Sequence, residues 1–244
     1  MENFKEKLIK LLKDFDEEEI LEFEEKYDKQ YLALKELYSK IKDVNLLFKL
    51  VLLNAIVSYQ LKTTGENYWI KFSEYFSKKK EIKLPEDIVE FIKKYNNRFI
   101  NSKVKRIKRL WENIANIDLR KYCENYLSFL DFLSKVLNQR KDSKTLVFSV
   151  KIFGYLCRIV NRRRKMFPFE IKIPLDSRIK KISKDQKFWE EISEKTKIPP
   201  LHLDSLIWVT MGLEDEKINS IEDQKLKTKI LNLKILLKEY AKNR

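Results

Sequence analysis

Asn138-Gln139-Arg140-Lys141-Asp142-Ser143 is a polar hexapeptide between two long runs of apolar periodicity, and Lys144-Thr145-Leu146-Val147-Phe148 opens the second run. The first run extends from Asp118, a candidate N-cap, to Leu137, and the second continues to Val160. Apolar residues recur every three or four positions in both, the period of a helix with one buried face. The expected unit is a helix–hairpin–helix over about 118–160. A hairpin of this kind presents backbone N–H groups at a helix start, where a DNA phosphate is held by charge and hydrogen bonding together.

The rest of the chain has the same texture. Its 244 residues suffice for one large domain or for two small lobes sharing a cleft. Only 3 Gly and 5 Pro occur, too few for a protein built from turns and strands, so the expected fold class is all-α. Helices are expected over Glu2–Phe15, then after Asp16, which has Glu19 three positions on as in a capping box, and over Asp28–Ile41. A buried helix should start at Asp43 or Asn45 and run to Leu61. A loop at Lys62–Gly65 precedes Glu66–Lys78, whose Tyr68, Trp69, Phe72, Tyr75 and Phe76 form an aromatic face. Pro85 reads as a first helical turn, and Lys103–Ala115 as a basic amphipathic helix. Arg162–Ile173 is expected to be irregular, with Phe169, Ile171 and Ile173 alternating as in a short extended stretch. Pro199-Pro200 leads into a helix, and a basic C-terminal helix spans about Ile221–Ala241.

Charge narrows the partners. There are 52 basic against 37 acidic side chains, a net charge of +15, which points to a polyanion and above all to nucleic acid. Heat adaptation would enrich both signs and does not explain the excess. Cys123 and Cys157 are too few for a four-cysteine cluster or zinc ribbon and do not suggest a secreted disulfide scaffold; both are expected to be buried as small apolar residues. His202 is the one histidine and cannot anchor a multi-histidine metal site. Met1–Phe15 has no cleavable signal, and Leu46–Leu61, interrupted by Lys49 and Asn54, is too short to span a bilayer. A soluble, intracellular, cytoplasmic protein is expected.

Lys144 would by default be a solvated lysine in a first helical turn. The apolar run after it places the amine where a helix leaves solvent for the core, and partial desolvation there favours the neutral, nucleophilic form. Asp176, 32 positions on, would by default cap a turn after Pro174, and an ionised carboxylate there can take a proton or stabilise a cationic sugar. Trp69 and Phe148 would by default be core aromatics, yet enzymes that act on a base must extrude it against flat apolar faces. Asp204 and Trp208 stand one turn apart on one helix, so a carboxylate and an indole N–H could share a cavity. Gln30, in Asp28-Lys29-Gln30-Tyr31, would ordinarily be a surface residue. An attacking amine, an assisting carboxylate and a phosphate-seeking surface together suggest covalent chemistry on nucleic acid.

Five separated blocks resemble the archaeal 8-oxoguanine DNA glycosylase family, abbreviated AGOG, a divergent branch of the helix–hairpin–helix glycosylases. They are residues 54–59 (Asn-Ala-Ile-Val-Ser-Tyr), 65–69 (Gly-Glu-Asn-Tyr-Trp), 144–148 (Lys-Thr-Leu-Val-Phe), 168–176 (Pro-Phe-Glu-Ile-Lys-Ile-Pro-Leu-Asp) and 199–208 (Pro-Pro-Leu-His-Leu-Asp-Ser-Leu-Ile-Trp). The resemblance runs from about Gln30 to Trp208. It implies a bifunctional glycosylase and AP lyase of base excision repair. Lys144 would attack C1′, expel 8-oxoguanine and form a Schiff base, and β-elimination would nick the strand on the 3′ side. Asp176 would accept a proton or stabilise oxocarbenium character, and Trp69 and Phe148 would sandwich the flipped base. Gln30 would accept from N7–H, a donor in 8-oxoguanine and an acceptor in guanine. Ser58, Pro174, Asp204 and Trp208 would complete the pocket, with Asp204 accepting from the N1/N2 edge. Lys151 would help to position the nucleophile or act on it electrostatically.

The resemblance implies an all-α helix–hairpin–helix glycosylase fold of two helical lobes with a DNA-binding cleft between them. Residues 45–165 would form a helical barrel lobe ending in the hairpin, and residues 1–44 with 166–244 the second lobe. The sequence departs from the wider superfamily in having no glycine between Asn138 and Ser143 and in the long spacing from Lys144 to Asp176. Lys103, Lys105, Arg106, Lys108, Arg109, Arg140, Arg162, Arg163, Arg164 and Lys165 are candidates for phosphate contact on charge alone. No metal or cofactor is expected, since an amine supplies the covalent chemistry. The expected partner is double-stranded DNA containing 8-oxoguanine, with single-stranded DNA as a second candidate, no membrane, and a monomeric enzyme. The rival reading is a non-enzymatic helical module that binds nucleic acid through its basic helices. It explains the charge but not the five blocks.

Overall fold

Asn3 and Asp16 start the first two helices in the same way. Each accepts from the backbone N–H three residues on, while Glu6 or Glu19 reaches back to the cap's own N–H. The computed structural model describes residues 3–242. In chain order its helices are α1 (Phe4–Lys13), α2 (Glu17–Tyr27), α3 (Lys29–Lys40), α4 (Val44–Ala55), α5 (Gly65–Ser77), α6 (Glu86–Tyr95), α7 (Ile100–Ile114), α8 (Tyr126–Leu137), α9 (Lys144–Asn161), α10 (Ile179–Ile182), α11 (Gln186–Thr196), α12 (Pro200–Gly212), α13 (Asp215–Asn219) and α14 (Gln224–Lys242). A 3-10 turn covers Leu119–Tyr122, and no strand occurs among the described residues. The fold is all-α. No described helix is long and apolar enough to cross a membrane.

The chain divides into two units, one of residues up to Asp28 and from Met166 onward, the other Lys29–Lys165. The expected division after residue 44 gives way to one after Asp28, because α3 packs on α5 and α9 within the second unit. The first unit holds α1 against α11 and α14, and α12 against α2 and α14. Leu8, Leu12, Phe23, Trp189, Leu206 and Leu233 lie in its core. His202 is buried there with Glu24, Nδ1 to Oε1 at 2.7 Å, and its Nε2 accepts the Phe167 N–H at 3.0 Å. An Nε2 that accepts leaves the proton on Nδ1, so His202 donates to Glu24 and fixes the start of the segment leading to Asp176.

In the second unit α9 is the central element, in contact with α3, α4 and α8 and buried along most of its length from Leu146 to Ile159. Lys49 and Lys103 are among the charged side chains that this unit buries. Lys49 donates to the Ala115 carbonyl at 2.6 Å. Lys103 is 0% exposed and donates to the Asn96 carbonyl and side-chain oxygens. Such acceptors satisfy an ammonium that burial would otherwise penalise.

Four expectations change. α4 ends at Ala55, not Leu61, because Ser58 Oγ donates to the Asn54 carbonyl and Gln60 turns into the left-handed region at φ 50°. Asp118 caps only the 3-10 turn, where Arg120 takes it by main chain and side chain, and α8 starts later from its own cap Asn125. The alternation at 169–173 forms no strand, with Ile171 and Ile173 buried and Phe169 exposed. Cys123 and Cys157 are buried as expected but joined in a disulfide, with Cα atoms 5.5 Å apart, which ties the 3-10 turn to the last third of α9. α11 has no counterpart among the expected helices, although Asp185 caps it and Trp189 and Ile192 stand three apart on its buried face.

Candidate active site

The hairpin between α8 and α9 manages without glycine by putting Asn138 in the left-handed region, φ 49°. Asparagine tolerates that region better than other residues with a Cβ. Gln139 is then held from both sides of its backbone. Its N–H donates to the Ser134 carbonyl at 3.1 Å, and its carbonyl accepts from Ser134 Oγ at 2.6 Å. Ser143 closes the turn by donating to the Arg140 carbonyl at 3.0 Å, and α9 starts with Lys144. Lys144 is exposed, so the desolvation expected for its amine is not supplied by burial in this structure.

Phe148 follows one turn later on α9 and is half-buried, while Trp69 of α5 is fully buried. Their ring centroids are 6.3 Å apart and their planes 56° apart. Two rings that bracket a base must be parallel with the base between them. Trp69 is fixed edge-on by Phe72 at 5.3 Å, so Phe148 is the ring that would have to turn. The Trp69 indole Nε1 is buried with no hydrogen-bond partner. Gln30 is buried near the start of α3, and Ser58 lies half-buried just past α4 with its hydroxyl on the Asn54 carbonyl at 2.8 Å. Lys151, two turns beyond Lys144, is buried with its ammonium 5.5 Å from the Tyr155 ring centroid.

In the other unit Pro174 is buried and Asp176 half-buried. Asp176 Oδ1 accepts from the backbone N–H groups of Arg178 and Ile179, both at 2.9 Å, so the capping role expected of it is real. Arg178 then lays its guanidinium over Trp208, 4.2 Å from the ring centroid, and donates to the Trp208 carbonyl at 3.1 Å. Asp204 is buried one turn before Trp208 on α12. Asp176 and Trp208 are thus linked through one arginine. The sequence offered no sign of Arg178, since nothing local distinguishes it among so many cations.

The candidate phosphate contacts sort unevenly. Lys103 is removed from the set by its burial, which together with the charge of Arg98 pushes its amine down to about 8. Arg106 is turned inward to Gln139 and Thr145. Arg163 and Lys165 are engaged with Glu124, and Arg140 with Asp142. Lys105, Lys108 and Arg109 are exposed on α7.

Residues 9–242 match the model of the AGOG family, described as N-glycosylase/DNA lyase. An N-glycosylase/DNA lyase of Nanoarchaeum equitans is 45% identical over 203 residues, 82% of this chain and 88% of that protein. One of Methanococcus maripaludis is 44% identical, covering 84% of this chain and 86% of its own length. The crystal structure of the 8-oxoguanine DNA glycosylase of Pyrobaculum aerophilum, complexed with 8-oxoguanosine, superposes with a TM-score of 0.81 at 27% identity, over 94% of this chain and 96% of that one.

Proposed function

Because the chain belongs to the AGOG family of N-glycosylase/DNA lyases, we propose that Lys144 is the amine with which it releases 8-oxoguanine from DNA and then cuts the strand. The chain is a DNA N-glycosylase and lyase of base excision repair, and its lesion is 8-oxoguanine. A passive nucleic-acid-binding module is thereby set aside. The observation that carries the role of Lys144 is its place, exposed as the first residue of α9 behind a hairpin fixed to the end of α8.

Nζ of Lys144 attacks C1′ and the glycosidic bond breaks, its electron pair leaving with the base, which takes up a proton. Ring opening gives a protonated Schiff base between Nζ and C1′. Loss of a C2′ proton then expels the 3′ phosphate by β-elimination, which is the nick. Asp176 assists by taking a proton or by stabilising cationic character on the sugar; its Oδ2 takes no hydrogen bond from a described residue, while Oδ1 is occupied as a cap.

Gln30 accepts from N7–H of 8-oxoguanine, and Asp204 accepts from the N1/N2 edge. Guanine would offer the same N1/N2 edge to Asp204 but an acceptor at N7 to Gln30, and that mismatch of two acceptors is costly and therefore selective. Trp69 and Phe148 supply apolar surfaces for the lesion, and Ser58, Pro174 and Trp208 are further residues of the proposed substrate-binding set. The working form is a monomer acting on duplex DNA, with single-stranded DNA as a second candidate partner.

Borohydride trapping on a duplex with a single 8-oxoguanine tests the assignment, beside an undamaged duplex and Lys144→Gln. The expected covalent band appears only with wild type and lesion, while Lys144→Gln still binds the DNA. A band formed by Lys144→Gln would mean that another amine attacks.

A further inference from the structure

Ser143 and Thr145, the residues on either side of Lys144, both donate to one oxygen. Ser143 Oγ reaches Gln139 Oε1 at 3.4 Å, and Thr145 Oγ1 reaches it at 3.3 Å. The same oxygen accepts from Arg106 Nη2 at 2.8 Å, and that nitrogen also donates to Thr145 Oγ1 at 3.0 Å. Arg106, Gln139 and Thr145 therefore form a closed triangle of bonds across the hairpin, anchored outside it on α7. Gln139 is itself clamped to α8 through Ser134. Arg106 Nε, by contrast, is buried with no partner. An arginine whose Nη2 meets two acceptors of the hairpin while its buried Nε goes without one is placed for geometry, not for solvent or for a phosphate.

We infer that Arg106 is a positioning residue for the reaction, the brace that fixes the hairpin and with it the direction in which Lys144 leaves the first turn of α9. The inference rests on the reading of Lys144 as the nucleophile. An exposed lysine has many rotamers, and its backbone origin is the one part of it that the protein can hold in advance. The hairpin has no glycine-rich turn to set its shape, and it is the Gln139 side chain, not a loop backbone, that gathers the groups flanking Lys144. A lysine at position 106 would keep the charge, but its side chain is one bond shorter, so its ammonium stops short of the place from which Nη2 bridges Gln139 and Thr145.

The test uses the full-length enzyme and a duplex carrying a pre-formed abasic site. The rate of borohydride-trapped adduct at saturating enzyme is measured for wild type, Lys144→Gln, Arg106→Lys, Thr145→Val and the Arg106→Lys/Thr145→Val double variant. Kd is measured against salt, and thermal melting is followed for each. Arg106→Lys and Thr145→Val should each slow trapping by about ten- to a hundredfold, the scale expected of a misdirected reacting group. Kd and its salt dependence should not move, and the double variant should be no slower than the slower single one, since both changes break the same triangle.

Trapping at the wild-type rate by Arg106→Lys overturns the brace. So does a variant whose saturating rate is normal while the salt slope falls by about one, the mark of a phosphate contact. Should Arg106→Lys fail to melt cooperatively, Thr145→Val decides alone by the same rate criterion. An adduct formed by Lys144→Gln overturns the reading of the nucleophile, and the brace with it. A normal Arg106→Lys beside an inert Lys144→Gln sinks the brace and leaves the nucleophile standing.

Discussion

Asp176 has two jobs on two oxygens, and that division makes it separable by mutation. Oδ1 holds the Arg178 and Ile179 N–H groups, and an amide oxygen can do the same. Asp176→Asn should therefore cost less than about 1 kcal/mol of stability, within the range of an exchanged cap. Its loss of charge should slow release of 8-oxoguanine by about two to four orders of magnitude, the usual scale for a proton-transfer group. Single-turnover base release beside thermal melting checks both. A variant that melts early yet excises normally would reduce Asp176 to a cap. At this scale, legibility in the sequence followed chemistry more than environment. Lys144 and Asp176 stand out by resemblance, but Lys103 looks like any surface cation, and only the Asn96 oxygens 7 residues away make its burial possible. Arg106 is missed for the same reason, because its partners come from a hairpin far along the chain.

Between residue and fold, the disulfide is the feature with the largest expected effect. Cys123 closes the 3-10 turn before α8, Cys157 lies in α9, and the bridge spans 34 residues that include the hairpin carrying Lys144. Closing a loop of that length restricts the unfolded chain by roughly 3–4 kcal/mol on the chain-entropy account. Reductant, or Cys123→Ser, should lower the melting temperature by roughly 6–16 °C, at 2–4 °C per kcal/mol for a chain of this size, while adduct formation well below the transition stays close to normal. Equal melting with and without reductant would show that the bridge adds nothing. Helix periods were legible for the long helices other than α11, because apolar spacing is a local property. Ends were less so where the stop signal was a side chain: the chain leaves α4 through the Ser58 hydroxyl and a left-handed Gln60, with no glycine or proline to announce it. The pairing of two cysteines was illegible from spacing alone, since it depends on the 3-10 turn that replaces the expected first turns of α8.

Across the whole molecule, the net charge of +15 overstates the surface available to DNA. Lys49 and Lys103 are buried, Arg106 faces the hairpin, and Arg163 and Lys165 are held by Glu124. What α7 leaves outward is Lys105, Lys108 and Arg109, exposed at i, i+3 and i+4 and so on one face of the helix. Each cation that neutralises a phosphate releases condensed counterions and adds about 0.9 to the slope of log K against log salt. If this face meets the backbone, exchanging all three for Gln should lower that slope by about three and weaken binding at low salt far more than at high salt. The rate of adduct formation at saturating enzyme should be unchanged, because none of the three reaches the hairpin bonds. Titrations of an abasic-site duplex at several salt concentrations, wild type against the triple variant, give the slope directly. An unchanged slope would mean that α7's outer face is merely solvated and that the phosphates are met by other cations, for which exposed Arg162 is the next to remove.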